Sequence, residues 1–259
     1  LRVFCNRGDY ILVEQYTYPG VITATQTLGI KLLGIGMDDD GIDPKDLDKK
    51  LCSWDPTKGK KPFLLYTVPS GQNPTGATQS AERKKAIYQI AEKHDLYIVE
   101  DDPYYFLRLD AVGNEDYKPV TDEFQKSLPA TYLSLDVSGR VLRLDSASKI
   151  LAPGLRLGWI TGCAQVIEKF VEQADMSTLA SSGPSQVMVY KLLCETWGHR
   201  GFLSWLIDLS SRYRRRRDIM MKACAEHLPA NLCRWSVPTV GMFLWIKIDS
   251  TQLRGQSSL

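Results

Sequence analysis

Short apolar runs alternate along the chain with stretches in which apolar residues recur every three or four positions. Residues 10–13, 31–37, 63–68, 96–99, 141–144 and 155–160 read as strands. Helical patterns lie between several of them. The clearest follows Ser80, a candidate N-cap, with Ala86, Ile87, Ile90 and Ala91 on one face and Arg83, Lys84, Glu92 and Lys93 elsewhere. This alternation predicts an α/β fold, a mainly parallel sheet with helices on both faces. Helical periodicity continues over residues 164–176, 185–197 and 202–228, and residues 235–237 and 242–248 then read as strands. The change of pattern predicts a large domain over 1–205, and over 206–259 a linking helix with part of a smaller α+β domain. Residues 110–130 are polar with scattered Pro and Gly, and read as a surface insertion.

Composition narrows this picture. The chain has 259 residues, 44% of them hydrophobic and 24% charged, enough to bury a sizeable core. Lys and Arg number 32 against 30 Asp and Glu, so the formal charge of +2 argues against a nucleic-acid or membrane surface. The run Arg212-Tyr213-Arg214-Arg215-Arg216-Arg217 falls inside a helical pattern and reads as a solvated helix face. The six cysteines show no C-x-x-C pair and no ligand spacing to the three histidines, so no metal is expected and a reduced, intracellular setting is. No apolar run nears the roughly 20 residues that span a bilayer, and no leader opens the chain, which predicts a soluble, cytoplasmic protein. It begins without Met in what reads as a helix end at 1–5 and closes in a polar tail after Asp249, so both ends look cut.

In parallel sheets ligands collect beyond the carboxyl ends of strands, and four such ends here carry reactive groups. Lys149, within Asp145-Ser146-Ala147-Ser148-Lys149, follows an apolar run and precedes Arg156. That setting suits a Schiff base to an aldehyde cofactor with its phosphate alongside, which points to pyridoxal phosphate. Ser146, Ser148 and Arg156 supply two hydroxyls and a guanidinium for such a phosphate. A solvated lysine opening a loop is the plain alternative, and the other strand ends weigh against it. Asp101 follows residues 96–99, where a carboxylate could keep a pyridine nitrogen protonated; Glu100-Asp101-Asp102 also suits Mg²⁺ or a polar loop. Tyr104 could hydrogen-bond a cofactor or simply pack. Asn73, in Asn73-Pro74-Thr75-Gly76, could donate to a phenolate oxygen or form a turn. Tyr18 could stack on a flat ring or cap its strand.

In this order, these segments resemble the fold-type I pyridoxal-phosphate aminotransferases of class I/II, whose large domain is built on a seven-stranded-type sheet. Thr67 to Gly76, Glu100 to Phe106 and Gly241-Met242-Phe243-Leu244-Trp245 are similar to the aromatic, α-aminoadipate and kynurenine aminotransferases within it. The resemblance implies Lys149 as the cofactor-binding lysine, Asp101 on the ring nitrogen, and Asn73 and Tyr104 on the ring oxygen. It further implies Ser146, Ser148 and Arg156 on the phosphate, Tyr18 stacked on the ring, and a homodimer. The implied reaction is amino transfer between an aromatic or long-chain amino acid and a 2-oxo acid such as 2-oxoglutarate. A lyase or decarboxylase on the same fold, a regulator's sensing domain and an inactive shortened member are the rival readings. The family's N-terminal phosphate turn and C-terminal carboxylate-binding arginine have no counterpart in this segment.

Overall fold

The computed structural model describes residues 1–109, 121–249 and 251. In chain order its first elements are β1 (Tyr10–Glu14), α1 (Pro19–Leu28), β2 (Lys31–Ile35), the short strands β3 (Met37–Asp38) and β4 (Gly41–Ile42), and α2 (Pro44–Cys52). Next come β5 (Leu64–Thr67), α3 (Ala81–His94), β6 (Tyr97–Asp101), α4 (Thr121–Ser127), α5 (Tyr132–Leu135) and β7 (Val141–Ser146). The remainder is β8 (Gly158–Thr161), α6 (Ala164–Asp175), α7 (Gly183–Tyr190), α8 (Gly198–His227), β9 (Cys233–Trp235) and β10 (Ile246–Ile248).

Among the described residues the main sheet has six strands in the order β2-β1-β5-β6-β7-β8. Every neighbouring pair is parallel except β7 with β8, an antiparallel edge. Successive strand residues face opposite sides, so the sheet carries two cores. Leu12, Leu65, Ile98 and Val141 pack on one side against Leu47 and Leu51 of α2, Ile87 and Ala91 of α3, and Tyr132 of α5. Ile11, Val13, Leu64, Tyr66 and Val99 pack on the other, against Val21 and Leu28 of α1 and Leu209 and Tyr213 of α8. The expected α/β layering is therefore present.

Local chemistry sets the helix ends. Ser80 caps α3 by accepting a hydrogen bond from the Arg83 amide at 3.1 Å, and Asp95 ends the helix in the left-handed region at φ 55°. Asp43 caps α2 in the same way through the Lys45 amide at 2.9 Å. At the chain start, Leu1 O accepts from the Phe4 and Cys5 amides at 3.0 and 2.9 Å, which closes a single turn.

Several expectations need correction. Residues 155–160 do not form one strand, because Pro153–Leu155 makes a 3₁₀ turn and Arg156 takes φ 49°, so β8 begins only at Gly158. Of the later strands the first is displaced from 235–237 to Cys233–Trp235 and the second shortened from 242–248 to Ile246–Ile248, and they pair antiparallel with each other. The arginine run is not a wholly solvated face: Arg214 and Arg217 are buried, and Arg217 donates to the carbonyls of Leu109 and Pro238. Of the expected insertion, residues 110–120 lie outside the described residues, while Thr121–Ser127 is helical and packs Phe124 with Leu206 and Ile207 of α8. Among the described residues no helix is long and apolar enough to cross a membrane.

Candidate active site

Parallel pairing brings the carboxyl ends of β1, β5, β6 and β7 to one edge of the sheet. Asp101 closes β6 on the same face as Tyr66, since Tyr66 pairs with Val99 in the register. The Tyr66 hydroxyl donates to Asp101 Oδ2 at 2.5 Å. Among the described residues, Oδ1 has no hydrogen-bond partner. Burial pushes the Asp101 carboxyl up, the Tyr66 hydrogen bond opposes this, and the charge of Asp145 adds to it. One oxygen is thus fixed and the other is available to a cationic donor. Nothing in the sequence singled out Tyr66, which sits within an apolar run.

Asn73 and Tyr104 are neighbours: the phenol of Tyr104 is pushed up to about 12, chiefly by burial, and the nearby Asn73 side chain works against that rise. The Asn73 loop is held by its own backbone. Gln72 N donates to Ala77 O at 2.9 Å, Gly76 N donates to Gln72 O at 2.7 Å, and Gln72 Oε1 accepts from the Thr75 amide at 2.8 Å. Gly71 opens this loop at φ 55°, and a Cβ there would lie 2.7 Å from the carbonyl oxygen of Val240. Gly71→Ala is expected to cost at least about 1 kcal/mol of stability, because backbone strain and a backbone collision add. Urea unfolding measures this, and an unchanged midpoint would show that residues 240–241 do not pack on the loop.

Past β7 the chain folds into the turn that carries Lys149, closed by Leu151 N donating to Ala147 O at 2.8 Å. Ser148 N donates to Ser146 Oγ at 3.1 Å, and Arg156 Nη1 donates to Ser148 Oγ at 3.4 Å and to Pro153 O at 3.1 Å. Two hydroxyls and a guanidinium therefore converge beside a half-buried lysine. Gly158, opposite Ser146, is required here because a Cβ would lie 2.6 Å from Asp145 O. Tyr18 precedes α1, 43% exposed, with its ring against Gly20, and near enough to raise the phenols of Tyr66 and Tyr104.

Glu100 and Asp102 point to the opposite face from Asp101, which separates the three carboxylates that the sequence left open as a Mg²⁺ set. Glu100 accepts from the amides of Tyr132 and Leu133 at 2.8 and 3.1 Å. Arg143 Nη1 lies 3.4 Å from Glu100 and 3.2 Å from Asp102, and Nη2 lies 2.8 Å from Asp145. Burial pushes Asp102 up to about 7, and Arg143 opposes that shift. This network supports β6 from behind. A separate cleft lined by Tyr16, Thr75, Trp235 and Trp245 opens beside the Asn73 loop, and Asp101, Tyr104, Lys149 and Arg156 do not line it.

Glu14, at the end of β1, accepts from Thr67 Oγ1, Val68 N and Gln72 Nε2 at 2.7, 3.0 and 3.2 Å, and burial pushes it from 4.5 to about 7. Because folding raises this value, the native state holds the extra proton between these two pH values. Its stability is therefore fully present below about 4.5 and falls as pH rises through about 7. Relative to the parent, Glu14→Gln is expected to gain on the order of 3 kcal/mol between pH 4.5 and pH 8. Parallel denaturation curves with the same difference at both pH values would contradict a protonated Glu14.

A mainly parallel sheet with an amine, a half-buried carboxylate, a phenol–amide pair and a hydroxyl–guanidinium group at its carboxyl edge defines an α/β fold with its polar side chains gathered where such sheets carry their sites. Residues 1–257 match the aminotransferase class I and II profile, and the chain belongs to that family. It is 56% identical over 253 residues to aminotransferase swnA of Arthroderma benhamiae, covering 96% of this chain and 51% of that protein. It is 45% identical to the aromatic amino acid aminotransferase C569.07 of Schizosaccharomyces pombe, covering 98% and 54%. The crystal structure of aminotransferase Aro8 from Candida albicans superposes with TM-score 0.91 at 41% identity, covering 96% of this chain and 52% of that one. The chain thus spans about half the length of the curated relatives it matches.

Proposed function

We propose that this chain is the cofactor-binding part of a pyridoxal-phosphate-dependent aminotransferase. The reaction moves an amino group between an aromatic or long-chain amino acid, of the α-aminoadipate or kynurenine kind, and a 2-oxo acid such as 2-oxoglutarate. The observation that carries this reading is the half-buried Asp101, with one oxygen held by Tyr66 and the other without a hydrogen-bond partner among the described residues, at the strand end next to the one bearing Lys149. Relatives point the same way: one bears the name L-tyrosine:2-oxoglutarate aminotransferase, and another kynurenine/alpha-aminoadipate aminotransferase, mitochondrial. The donor set fits the cofactor, since each of its polar groups has a complementary partner type here.

When bound, pyridoxal phosphate supplies an aldehyde that captures amines and a ring that draws electrons from the substrate α-carbon. Lys149 Nζ would hold the cofactor and would carry a proton at the substrate α-carbon. Asp101 Oδ1 keeps a proton on the ring nitrogen, and Tyr66 keeps Asp101 in place. Asn73 and Tyr104 donate to the ring oxygen, Tyr18 covers the ring face, and Ser146, Ser148 and Arg156 bind the phosphate. In this reading residues 1–205 carry the cofactor, residues 206–259 begin the smaller domain, and the full protein is a cytoplasmic homodimer, which light scattering and cell fractionation test.

The full-length protein, loaded with pyridoxal phosphate, is expected to form glutamate from 2-oxoglutarate with tyrosine, tryptophan, kynurenine or α-aminoadipate as donor. Release of CO₂ or of an alkene product without glutamate would indicate a decarboxylase or lyase instead. Failure of all four donors would end the substrate assignment.

A further inference from the structure

On the side of the sheet covered by α2 and α3, away from the reactive strand ends, three unlike ligand types converge. Asp48 and Cys52 stand one turn apart on α2, and His94 is the last residue of α3. His94 precedes β6, so this group lies at the opposite edge of the sheet from Asp101. Cys52 Sγ is 3.8 Å from His94 Nε2 and 3.8 Å from Asp48 Oδ1, and His94 Nε2 is 2.6 Å from Asp48 Oδ1. Among the described residues it is the group of Asp, Cys and His atoms close enough together to share a metal ion.

We propose that Asp48, Cys52 and His94 form a binding site for Zn²⁺, with solvent as the fourth ligand. Bond lengths of about 2.3 Å to sulfur and about 2.0–2.2 Å to nitrogen and oxygen give a tetrahedron whose edges are roughly 3.3–3.6 Å. Both sulfur edges are already within a few tenths of an ångström of that. The nitrogen–oxygen edge is short because a proton bridges it, and it opens when the ion replaces that proton. The His94 side chain is only 7% exposed, which holds its ring in place, while Cys52 is exposed and leaves an approach from solvent.

Two ammonium groups face the cluster. Lys93 Nζ lies 2.8 Å from Asp48 Oδ1 and 3.8 Å from Cys52 Sγ, and Lys61 Nζ lies 3.1 Å from His94 Nδ1. Lys93 joins Asp48 and also reaches Cys52, and the thiol stands in addition 3.8 Å from each of the other two ligand atoms. Zn²⁺ with a thiolate, a carboxylate and a neutral imidazole is electrically balanced without either lysine. On binding, the Cys52 proton leaves to solvent and the His94 proton moves from Nε2 to Nδ1. Lys61 and Lys93, both on flexible stems, then turn to solvent. No oxidation state changes. The ion ties α2 to α3, so binding stabilises the fold by linkage.

The test is titration of chelator-treated full-length protein with Co²⁺ and then Zn²⁺. One equivalent of Co²⁺ is expected to give a saturable thiolate-to-cobalt absorption band that Zn²⁺ abolishes, and Zn²⁺ is expected to raise the melting temperature. Cys52→Ser, at an exposed position, is expected to lose the band, and Asp48→Asn to weaken Co²⁺ binding at least tenfold, while Cys163→Ser keeps both signals. Absence of a saturable band, or a band and a zinc-dependent melting shift that survive in Cys52→Ser, overturns the proposal.

Discussion

Lys149→Ala is expected to lower amino transfer by about 10⁴-fold or more, with the protein still folded. The lysine has two duties in the proposed reaction, holding the cofactor and carrying the proton at the substrate α-carbon, and the second alone is worth about 10²–10⁴-fold. The structure leaves it no structural duty of comparable size. It is half-buried in a turn whose backbone bond runs from Leu151 to Ala147, and the packing of that turn comes from Ala147 and Ile150 on either side. Thermal unfolding of the variant should therefore stay within a few degrees of the parent. Added alkylamines are expected to recover part of the rate, because they replace the proton carrier. Activity within tenfold of the parent would remove Lys149 from the chemistry.

Arg143→Met is expected to cost about 3–5 kcal/mol of folding stability, the range for removing one partner from a buried charged group. The guanidinium is 7% exposed and lies against Glu100 and Asp102, both fully shielded, and against Asp145. It also covers the Tyr105 ring at 4.6 Å. Without it the carboxylates face one another with little water, and Asp102, already pushed up by burial, rises further. The loss is then larger at pH 8 than at pH 5, because protonation removes the repulsion. Asp102→Asn in the same background is expected to restore part of the stability. A single-variant midpoint within about 1 kcal/mol of the parent at pH 8 would show that the network carries no net weight. β6 holds Asp101 between Glu100 and Asp102, so a loosened network should also weaken cofactor binding.

Much of the reactive edge is legible in the sequence because strand ends are. An apolar run that stops at a polar, Gly- or Pro-containing segment marks both the strand and the place where its next residues point, which is how Asp101, Asn73 and Lys149 stand out. Ser80 announces α3 by the same local logic. Residues whose partners are far along the chain are hidden. Tyr66 looks like one more core aromatic until the β5–β6 register sets it beside Asp101, 35 positions away. Arg143 sits inside an apolar run, and only pairing with β6 reveals Glu100 and Asp102 beside it. Arg217 reads as solvated on its helix because its acceptors, Leu109 and Pro238, belong to other segments. Cys52 and His94, 42 positions apart, show no ligand spacing and yet meet. Residues 155–160 fail to form one strand for a local reason, the left-handed turn at Arg156.

Lys149 is expected to be the residue that takes up the cofactor. The most direct test is incubation of the protein with pyridoxal phosphate, reduction with borohydride, and peptide mapping by mass spectrometry. A pyridoxyl group concentrated on the peptide carrying Lys149, and lost when a substrate amino acid is added before reduction, is expected. Labelling spread over surface lysines with Lys149 unmodified would contradict it.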